Sequence, residues 1–362
     1  MNINDKFVMD GHKLYWHLDR VNEWLNGKRI FPLHIDVGLS KGCNIKCEYC
    51  FGALQGNLYK KKGSEVYFPR KALLRYVKEA GQSGVRSMAF IGEAEPTMNP
   101  NIYDAIVEGK KAGVDISLGT NGILFDTGEK GEIALEHLSW IRFNISAGSE
   151  AGYKKIHRSH AFNKVIEKIK FCVNFKRSNN LKLTIGLQMV LTPNNVDQVV
   201  SLAKLGSSLE VDYLVIKQCS DTVDNDLGIY KSLGEYNSFR DILAHAESFS
   251  NSSYKVIVKW DKISNKGTRN YDSCFGMPFL LYSSGDGKLY PCGAMFGNDE
   301  FLIGDLVSQS FIDIINSKRY KFILDKVEKI NVHKDCYSNC RTHHINEFAW
   351  MLKHPPEHVN FI

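Results

Sequence analysis

In the middle of the chain, segments with strand-like spacing of apolar residues alternate with segments of helix-like spacing. Runs with the two-residue spacing of strands are separated by longer stretches in which apolar residues recur every three or four positions, as on one face of a helix. The predicted strands are Leu33–Val37, Ser87–Ile91, Asp115–Leu118, Trp140–Ile145, Lys182–Leu191 and Tyr213–Ile216. The predicted helices are Arg70–Ala80, Ile102–Ala112, Glu132–Leu138, Phe162–Lys176, Val196–Leu205 and Ser238–Phe249. Six successive strand–helix units predict a parallel sheet with right-handed crossovers, either open or closed into a barrel.

The first 33 residues carry a separate pattern of helical period. Apolar residues recur there every three or four positions, so the sequence predicts one amphipathic helix before the first strand. Its apolar positions are Leu14, Leu18, Val21 and Leu25, and Gly27 follows as a stop signal. Residues 1–33 are therefore expected to form an N-terminal helical segment.

From about Tyr254 the alternation gives way to glycine-rich sequence that bears cysteines. Within it, residues 282–290 predict a hairpin, because strand-like residues flank a Gly-Asp-Gly turn. We therefore expect residues 34–258 to form one α/β domain and residues 259–362 to form a second domain.

Composition narrows the class of protein. Apolar residues make up 43% and charged residues 24% of the 362 positions, a globular profile that excludes a disordered, collagen-like or membrane-spanning chain. The 46 basic residues against 40 acidic ones give a net charge of +6, which is too weak to argue for nucleic acid but suits an anionic small substrate. No basic-then-apolar leader opens the chain. We therefore expect a cytoplasmic protein without a membrane partner.

The nine cysteines are distributed unevenly. Cys43, Cys47 and Cys50 lie close together, and four more cysteines fall in the last quarter of the chain. An odd number of clustered cysteines in a chain without a leader argues against a disulfide framework. It favours metal or redox chemistry in a reducing compartment.

The first cluster has the spacing Cys-x3-Cys-x2-Cys, which brings three thiolates within reach of one metal centre. A four-iron cubane needs one protein ligand per iron, so three thiolates leave one iron open to a ligand from outside the protein. Zinc is the alternative, but a closed zinc site needs a fourth cysteine or histidine nearby. His34 precedes the cluster on a predicted strand and is poorly placed to supply it.

With this cluster the chain resembles the radical S-adenosylmethionine (SAM) superfamily, whose signature is the same spacing in the loop after the first strand. Tyr49, directly before the third cysteine, narrows the match. Three further motifs follow in the family's order at the ends of the next three strands. They are Phe90-Ile-Gly-Glu-Ala-Glu-Pro96, Leu118-Gly-Thr-Asn-Gly122, and Arg142-Phe-Asn-Ile-Ser-Ala-Gly148 followed by Tyr153-Lys-Lys-Ile-His-Arg158. The carboxyl ends of strands are where parallel β/α barrels hold their chemistry, so the resemblance implies a partial (β/α)6 radical SAM barrel.

The resemblance also implies which residues bind the cofactor. Glu95, in the segment similar to the family's Gly-Gly-Glu-Pro, is expected at the amino group of the cofactor's methionine. Ser146 is expected to contact the ribose, and Thr120 and Asn121 are expected to form the floor of the pocket. Tyr49 is also expected to bind the cofactor.

One departure from the family pattern lies directly before Glu95. Glu93 and Ala94 stand there, where the family usually has glycines. An alanine preserves recognition through backbone groups if its backbone angles are ordinary. Glu93 is therefore a second candidate for the cofactor's ammonium, although a solvent-facing position is the alternative.

The last quarter of the chain resembles a Twitch domain, a shortened SPASM module that holds one auxiliary iron–sulfur cluster. The predicted ligands are Cys274, Cys292, Cys336 and Cys340. Four thiolates would saturate a [4Fe-4S] cubane and leave no open iron, which suits electron transfer. A zinc ion held by four cysteines is the alternative.

The resemblance implies an enzyme. The first [4Fe-4S] cluster would bind SAM on Cys43, Cys47 and Cys50, and reductive cleavage would give a 5′-deoxyadenosyl radical that abstracts a hydrogen from the substrate. We expect the substrate to be a small metabolite, such as a sugar-like or anionic compound, that is oxidised with help from the auxiliary cluster. We expect the electron donor to be a protein such as flavodoxin or ferredoxin. The alternatives are a peptide- or protein-modifying maturase or epimerase, and a non-catalytic iron–sulfur or zinc module.

For several residues near the predicted active face, the sequence allows more than one role. Cys219 follows the sixth strand, where its thiol would either donate a hydrogen atom or pack as a core cysteine, and Lys217 or Asp221 would handle a proton. The basic run 60–62 is most often a solvated loop, with contact to an anionic substrate as the alternative. The histidines of the tail are expected to be structural.

Overall fold

The computed structural model describes residues 7–9, 11–50, 66–219, 235–265, 267–336 and 339–361. Its strands are β1 (His34–Val37), β2 (Ser40–Lys41), β3 (Val66–Tyr67), β4 (Ser87–Phe90), β5 (Asp115–Thr120), β6 (Leu138–Asn144), β7 (Thr184–Leu191), β8 (Tyr213–Gln218), β9 (Lys255–Val258), β10 (Leu280–Ser283), β11 (Lys288–Tyr290) and β12 (Gly304–Asp305). Ten of them form one sheet in the order β12-β11-β10-β1-β4-β5-β6-β7-β8-β9, and β2 pairs with β3 separately.

The α-helices lie mainly between the parallel strands and in the C-terminal region. They are α1 (Leu18–Leu25), α2 (Arg70–Gln82), α3 (Ile102–Lys111), α4 (Glu129–His137), α5 (Glu150–His157), α6 (Phe162–Ser178), α7 (Val199–Ser208), α8 (Arg240–Glu247), α9 (Trp260–Asn265), α10 (Phe311–Asn316), α11 (Lys318–Val327) and α12 (His343–Lys353). Short 3₁₀ turns occupy Leu14–Trp16, Pro96–Met98, Pro193–Gln198, Glu235–Phe239, Met277–Phe279, Gly293–Met295 and Asp299–Phe301.

Strand β1 and strands β4 to β9 form a parallel sheet. The six strands predicted from the sequence are all present, and β9 adds a seventh beside β8. The helices return the chain between successive strands, which confirms the expected α/β class with a parallel, barrel-like sheet.

The two faces of this sheet differ in polarity, as β7 illustrates. Ile185, Leu187 and Met189 are completely buried in the hydrophobic core. Gln188 and Val190 alternate with them and line a cavity on the opposite face. Because successive side chains of a strand point to opposite faces, this alternation separates the helix-facing core from the interior of the barrel.

The predicted hairpin is present and extends the same sheet. Strand β11 pairs antiparallel with β10, with Tyr282 opposite Tyr290, and Gly287 in the turn has a φ of 84°. Glycine adopts such a positive φ without the strain of a side chain. Strand β10 pairs parallel with β1, so that Ile35 lies opposite Leu281. The second region of the chain is thus hydrogen-bonded to the first strand of the barrel.

The N-terminal helix α1 packs on the C-terminal region through a small separate core. Val21 and Trp24 are buried there with Phe279 and Phe348. The Trp24 and Phe279 rings are 5.4 Å apart in an edge-on arrangement, which stabilises such a pair by about 0.5–1.5 kcal/mol beyond the area buried.

The structure has a helix in this segment, and of the four predicted apolar positions Leu14 and Val21 are buried. Leu18 and Leu25 are 59% and 36% exposed, whereas Trp24 is buried. The helix begins only at Leu18, after a 3₁₀ turn that contains Leu14. This break shifts the buried face by about one residue, because each residue of an α-helix rotates the chain by about 100°.

The predicted domain limits at residues 33 and 258 stay a prediction, since β10 and α1 join the two regions. Lys60–Lys62 and Asp221 lie outside the described residues. Within the described part of the chain, no helix has the length and apolar character needed to cross a bilayer.

Candidate functional site

A cavity of about 350 Å³ opens at the interior of the sheet, within the size range of small-molecule sites. Residues from the segment after β2, from the ends of β4 to β8 and from the C-terminal region line it. Most of the sequence motifs therefore meet in one place, as expected for strand ends on one edge of a parallel sheet.

The cysteines of the first cluster all face this cavity. Cys43, Cys47 and Cys50 line it, and none of the three is in a disulfide. Burial raises the pKa of the Cys43 thiol to about 11 and that of Cys47 further still, and the neighbouring cysteines add to both shifts. Three clustered thiolates would thus be unfavourable here without a compensating cation, which is what a metal centre supplies.

Among the described residues, one compact group of potential metal ligands is formed by His343, His344 and Glu347, whose ligand atoms lie within 4.8 Å of one another.

The imidazole of His157 links the first cluster to the end of β6. The backbone N–H of Ser146 donates to His157 Nε2 at 2.9 Å, and His157 Nδ1 lies 3.0 Å from Cys47 Sγ. Because Nε2 accepts a hydrogen bond, the ring proton is on Nδ1 and is donated to the sulfur. Burial lowers the pKa of His157 to about 4, so the ring is neutral at pH 7. His157 lies in one of the motifs identified in the sequence, but no function was predicted for it.

Tyr49 and Ser146, both predicted to bind the cofactor, form a hydrogen bond with each other. The Ser146 hydroxyl donates to Tyr49 Oη at 2.8 Å and accepts from the backbone N–H of Val190 at 3.1 Å. Tyr49 lines the cavity, whereas Ser146 is completely buried behind it. In this arrangement Ser146 positions Tyr49, and its expected contact with a ribose stays a prediction.

Glu95, Thr120 and Asn121 form a second hydrogen-bonded group. Glu95 Oε1 accepts from Thr120 Oγ1 at 2.5 Å and from both the N–H and the hydroxyl of Thr97, while Oε2 accepts from Asn121 N at 2.6 Å. Burial raises the pKa of Glu95, and these donors counteract the shift. The carboxylate therefore ties the end of β4 to the end of β5, with Glu95 and Asn121 in the cavity wall and Thr120 behind it.

Asn121 also reaches the cysteine loop. Its side-chain N–H donates to Asn44 Oδ1 at 2.7 Å and lies 3.8 Å from Cys43 Sγ.

Glu93 lines the same cavity and contacts the C-terminal hairpin. Its Oε1 accepts from the Ser284 hydroxyl at 2.6 Å and from Gly285 N at 3.2 Å. Its Oε2 is buried without a hydrogen-bond partner among the described residues. Burial raises the pKa of this carboxyl. Glu93 therefore does not face solvent, and one of its oxygens remains available to a donor.

The four C-terminal cysteines also come together. The thiols of Cys274, Cys292 and Cys340 all contribute to raising the pKa of Cys336, after burial as the main cause. Asn346 Nδ2 lies 3.8 Å from Cys274 Sγ. Residues separated by more than sixty positions in the sequence thus form one set of four sulfurs.

The tail histidines beside this set are bound within the protein. His343 Nδ1 pairs with the Tyr271 hydroxyl at 3.1 Å, and its Nε2 accepts from Asn265 Nδ2 at 3.0 Å. Since both ring nitrogens have protein partners, a structural role suits this residue better than metal binding.

The C-terminal region supplies one wall of the cavity. Tyr282, Ser283, Gly293 and Phe296 line it, and Cys292 directly precedes Gly293. Cys292 of the second cysteine set is therefore one residue away from the wall of the same cavity that the first set faces.

Inward-facing polar residues of the strands were missed by the sequence analysis as candidates. Asn144 and Gln188 line the cavity and form a hydrogen bond of 3.0 Å, and Arg142 lines it deeper in the sheet. Cys219 and Lys217 also line it, and β8 ends at Gln218 as expected. A polar residue at every second position of otherwise apolar strands was the signal that would have identified them.

Comparison with protein families identifies both regions. Residues 37–206 match the radical SAM superfamily, and residues 274–342 match SPASM, described as an iron-sulfur cluster-binding domain. The second match begins at Cys274 and includes all four C-terminal cysteines.

Curated relatives share about a quarter of the residues. A probable GTP 3′,8-cyclase from Saccharolobus islandicus is 25% identical over 236 residues, which are 64% of this chain and 68% of that protein. A tungsten-containing aldehyde ferredoxin oxidoreductase cofactor-modifying protein from Pyrococcus furiosus is 26% identical over 186 residues, 51% of this chain and 50% of that one.

Solved structures share the fold at lower identity. SuiB from Streptococcus suis, bound to S-adenosylmethionine, has a TM-score of 0.62 at 14% identity and covers 84% of this chain and 70% of its own. The enzyme anSMEcpe, bound to the same cofactor and a peptide, has a TM-score of 0.57 at 19% identity and covers 87% and 88%. The two matched domains imply SAM, a [4Fe-4S] cluster that binds it and auxiliary iron–sulfur binding. The chain therefore carries a radical SAM domain over residues 37–206 and a SPASM domain over residues 274–342.

Proposed function

We propose that this radical SAM enzyme abstracts a hydrogen atom from a small metabolite bound in the cavity and oxidises it with help from an auxiliary [4Fe-4S] cluster. Cys43, Cys47 and Cys50 hold the cluster that binds SAM in this proposal. When bound, that cluster and SAM supply a 5′-deoxyadenosyl radical by one-electron reductive cleavage. The observation that carries the proposal is that the three thiols and the cofactor motifs line one cavity.

The chain's own residues bind and orient SAM in this proposal. Glu95 Oε2 has one donor, Asn121 N, and therefore retains the capacity to accept from the cofactor's ammonium. Glu93 Oε2, which has no partner among the described residues, is the second candidate. We expect Glu95→Gln to raise the KM for SAM about tenfold or more. A larger rise for Glu93→Gln would transfer the role to Glu93.

Oxidation requires somewhere for an electron to go. A substrate that loses a hydrogen atom, and then one electron and one proton, leaves the cavity oxidised by two electrons. Cys274, Cys292, Cys336 and Cys340 would hold the cluster that takes the electron. Four thiolates saturate a cubane, and the position of Cys292 beside the cavity wall supports a short path.

Cys219 is the alternative fate of the substrate radical. Its thiol lines the cavity, and a hydrogen atom donated from it would make the reaction redox-neutral. We propose oxidation because a four-cysteine set is a more specific feature than one cysteine. Unchanged turnover of the true substrate by Cys219→Ala would support oxidation, whereas loss of product with continued 5′-deoxyadenosine formation would support donation.

A small metabolite is supported by the size of the cavity, about 350 Å³, since SAM must share it with the substrate. The curated relative named for GTP is named for a small, anionic compound. We further propose that the protein works in the cytoplasm with flavodoxin or ferredoxin as electron donor. A peptide substrate remains the alternative.

The test is cleavage of SAM by anaerobically reconstituted protein with a strong reductant, followed as 5′-deoxyadenosine. Wild type and Cys172→Ala are expected to form it, because Cys172 is buried in the core away from the cavity. Cys43→Ala is expected to form none. An iron-loaded wild type that fails to cleave SAM would contradict the enzyme and favour a non-catalytic module. Deuterium transferred to 5′-deoxyadenosine from a labelled metabolite pool, but not from labelled peptides, would identify the substrate class.

A further inference from the structure

Two cationic side chains of the cavity form no ion pair among the described residues. Arg142 and Lys217 line the cavity but take part in none of the ion pairs found in that part of the chain. Burying a charge is costly unless an opposite charge or several hydrogen bonds compensate it. Asp36, the Tyr213 hydroxyl and the Trp140 ring, 5.1 Å from Cζ, compensate Arg142 in part. An anion in the cavity would add the opposite charge with which Lys217 forms no pair.

The carboxylates that share the cavity are already engaged. Asp36 pairs with Arg341 at 2.6 Å and with His34 at 2.9 Å. Burial would raise the pKa of Asp36, but these partners outweigh it and lower the pKa. Glu93 and Glu95 accept hydrogen bonds from hydroxyl and backbone groups.

Arg142 belongs to the floor of the cavity. Its strand register places it level with Gly119 on one side and Gly186 on the other. A side chain at Gly186 would collide with the Tyr213 ring, and one at Gly119 would collide with Ile91. The two glycines therefore let these side chains pack beside the guanidinium. Arg142 interacts with the Tyr213 hydroxyl, but its Nε has no hydrogen-bond partner among the described residues.

Lys217 belongs to the wall above this floor. It lies four residues beyond Tyr213 on β8, level with Val190 of β7. Among the described residues, the charged groups that act on it most strongly are other cations, namely Arg142, Lys262, Arg341 and Lys259. Burial and these neighbours lower the pKa of Lys217 to about 7. The ammonium is thus held in a positive field that an anion would relieve.

We propose that Lys217, with Arg142 beneath it, forms an anion-binding subsite for a carboxylate or phosphate group of the substrate. This inference rests on the proposed function, because it takes the cavity to be the substrate site. The anion binds deep in the barrel, and the remainder of the substrate extends toward the cysteine loop. The subsite thereby fixes which end of the substrate meets the radical.

The test is binding of inorganic phosphate and, separately, of succinate to the reconstituted protein with SAM bound, by calorimetry at low ionic strength. Wild type is expected to bind at least one of them with a Kd of about 1 mM or below, and Lys217→Met about tenfold more weakly. Lys217→Arg keeps the charge and should bind within about threefold of wild type. Lys255→Met is the matched control, because Lys255 is exposed on the neighbouring strand and should not affect binding.

A second measurement does not depend on a variant that folds. The rate of Lys217 acetylation by acetic anhydride in wild type, followed by mass spectrometry, should fall at least several-fold when the anion is present. Binding of phosphate alone would assign a phosphate ester, and binding of succinate alone a carboxylate. Equal affinity of wild type and Lys217→Met, or no binding and no protection with either anion, would overturn the subsite. Formation of 5′-deoxyadenosine by the same wild-type preparation separates that failure from failure of the proposed function.

Discussion

The two cysteine sets of this protein are built on different principles. Cys43, Cys47 and Cys50 lie close together in the sequence directly after β2, and all three face the cavity. The four C-terminal cysteines come from distant parts of the sequence and lie behind a wall of the cavity, with Cys292 nearest to it. The first set has three cysteines, which all line the cavity, while the second has four, none of which is among the described residues that line it.

This difference shows how the number of ligands and the position of a cluster divide the chemistry. A site with a free coordination position has to face the space where its external ligand binds. A fully ligated site only needs to lie close enough to exchange an electron. The fold satisfies both needs because β10 pairs with β1 and brings the second set to the cavity from the side.

Replacing Cys43, Cys47 and Cys50 together with alanine should have the largest effect. We expect SAM cleavage to be abolished and about four of about eight irons to remain, because each cubane holds four. Iron and sulfide assays with chromatography of 5′-deoxyadenosine measure this. A triple variant that still holds the full iron content would break the comparison, since the loop would then not be a cluster site.

Replacing Cys336 and Cys340 with alanine should give the opposite pattern. We expect loss of about four irons, retention of SAM cleavage and loss of substrate oxidation. Metal analysis of wild type is the control. Zinc in place of iron at this set would show that it is a structural site and that the electron leaves by another route.

Replacing His157 with phenylalanine should shift the potential of one cluster. A hydrogen bond to a cluster sulfur stabilises the reduced, more negative state, so its loss should lower the potential. A bond of about 1 kcal/mol corresponds to roughly 40 mV for one electron. Potentiometric titration followed by electron paramagnetic resonance measures the shift, and the C-terminal cluster is the internal control. An equal shift of both clusters would refute a local effect.

Replacing Asn346 with alanine should produce the smallest change. Its side-chain nitrogen lies 3.8 Å from Cys274 Sγ, against 3.0 Å for His157 and Cys47, and hydrogen bonds weaken with distance. We expect the potential of the C-terminal cluster to fall by less than half the His157 shift, in the same titration. A larger shift than that of His157→Phe would mean that the potential of the C-terminal cluster depends more strongly on such hydrogen bonds than the potential of the first cluster does.

Much of the fold was predictable because it depends on local patterns. The strands from Ser87 to Gln218 follow apolar runs, and the hairpin follows its Gly-Asp-Gly turn. Helix α5 was not predicted, since its buried residues, Tyr153 and His157 among them, lie in a segment of only eight residues with two lysines. A pattern that short does not separate a helix from a loop.

The candidate site was predictable where clustered cysteines or a strand-end motif marked its residues. The spacing of the three loop cysteines is local, and so they were found. The hydrogen bond between His157 and Cys47 joins residues 110 positions apart, and no local pattern encodes it. The cationic pair of Arg142 and Lys217 likewise arises only when β6 and β8 curve around the same cavity.

The pairing of β10 with β1 has a consequence for how the chain is synthesised. Strand β1 leaves the ribosome long before its partner Leu280–Ser283, because the other parallel strands of the sheet lie between them in the sequence. Until then one edge of β1 has no strand beside it, and such an edge invites pairing with other chains. Contacts between residues so distant in sequence also slow folding. Chaperone occupancy and loss as inclusion bodies should therefore be greatest for nascent chains that stop short of the SPASM hairpin.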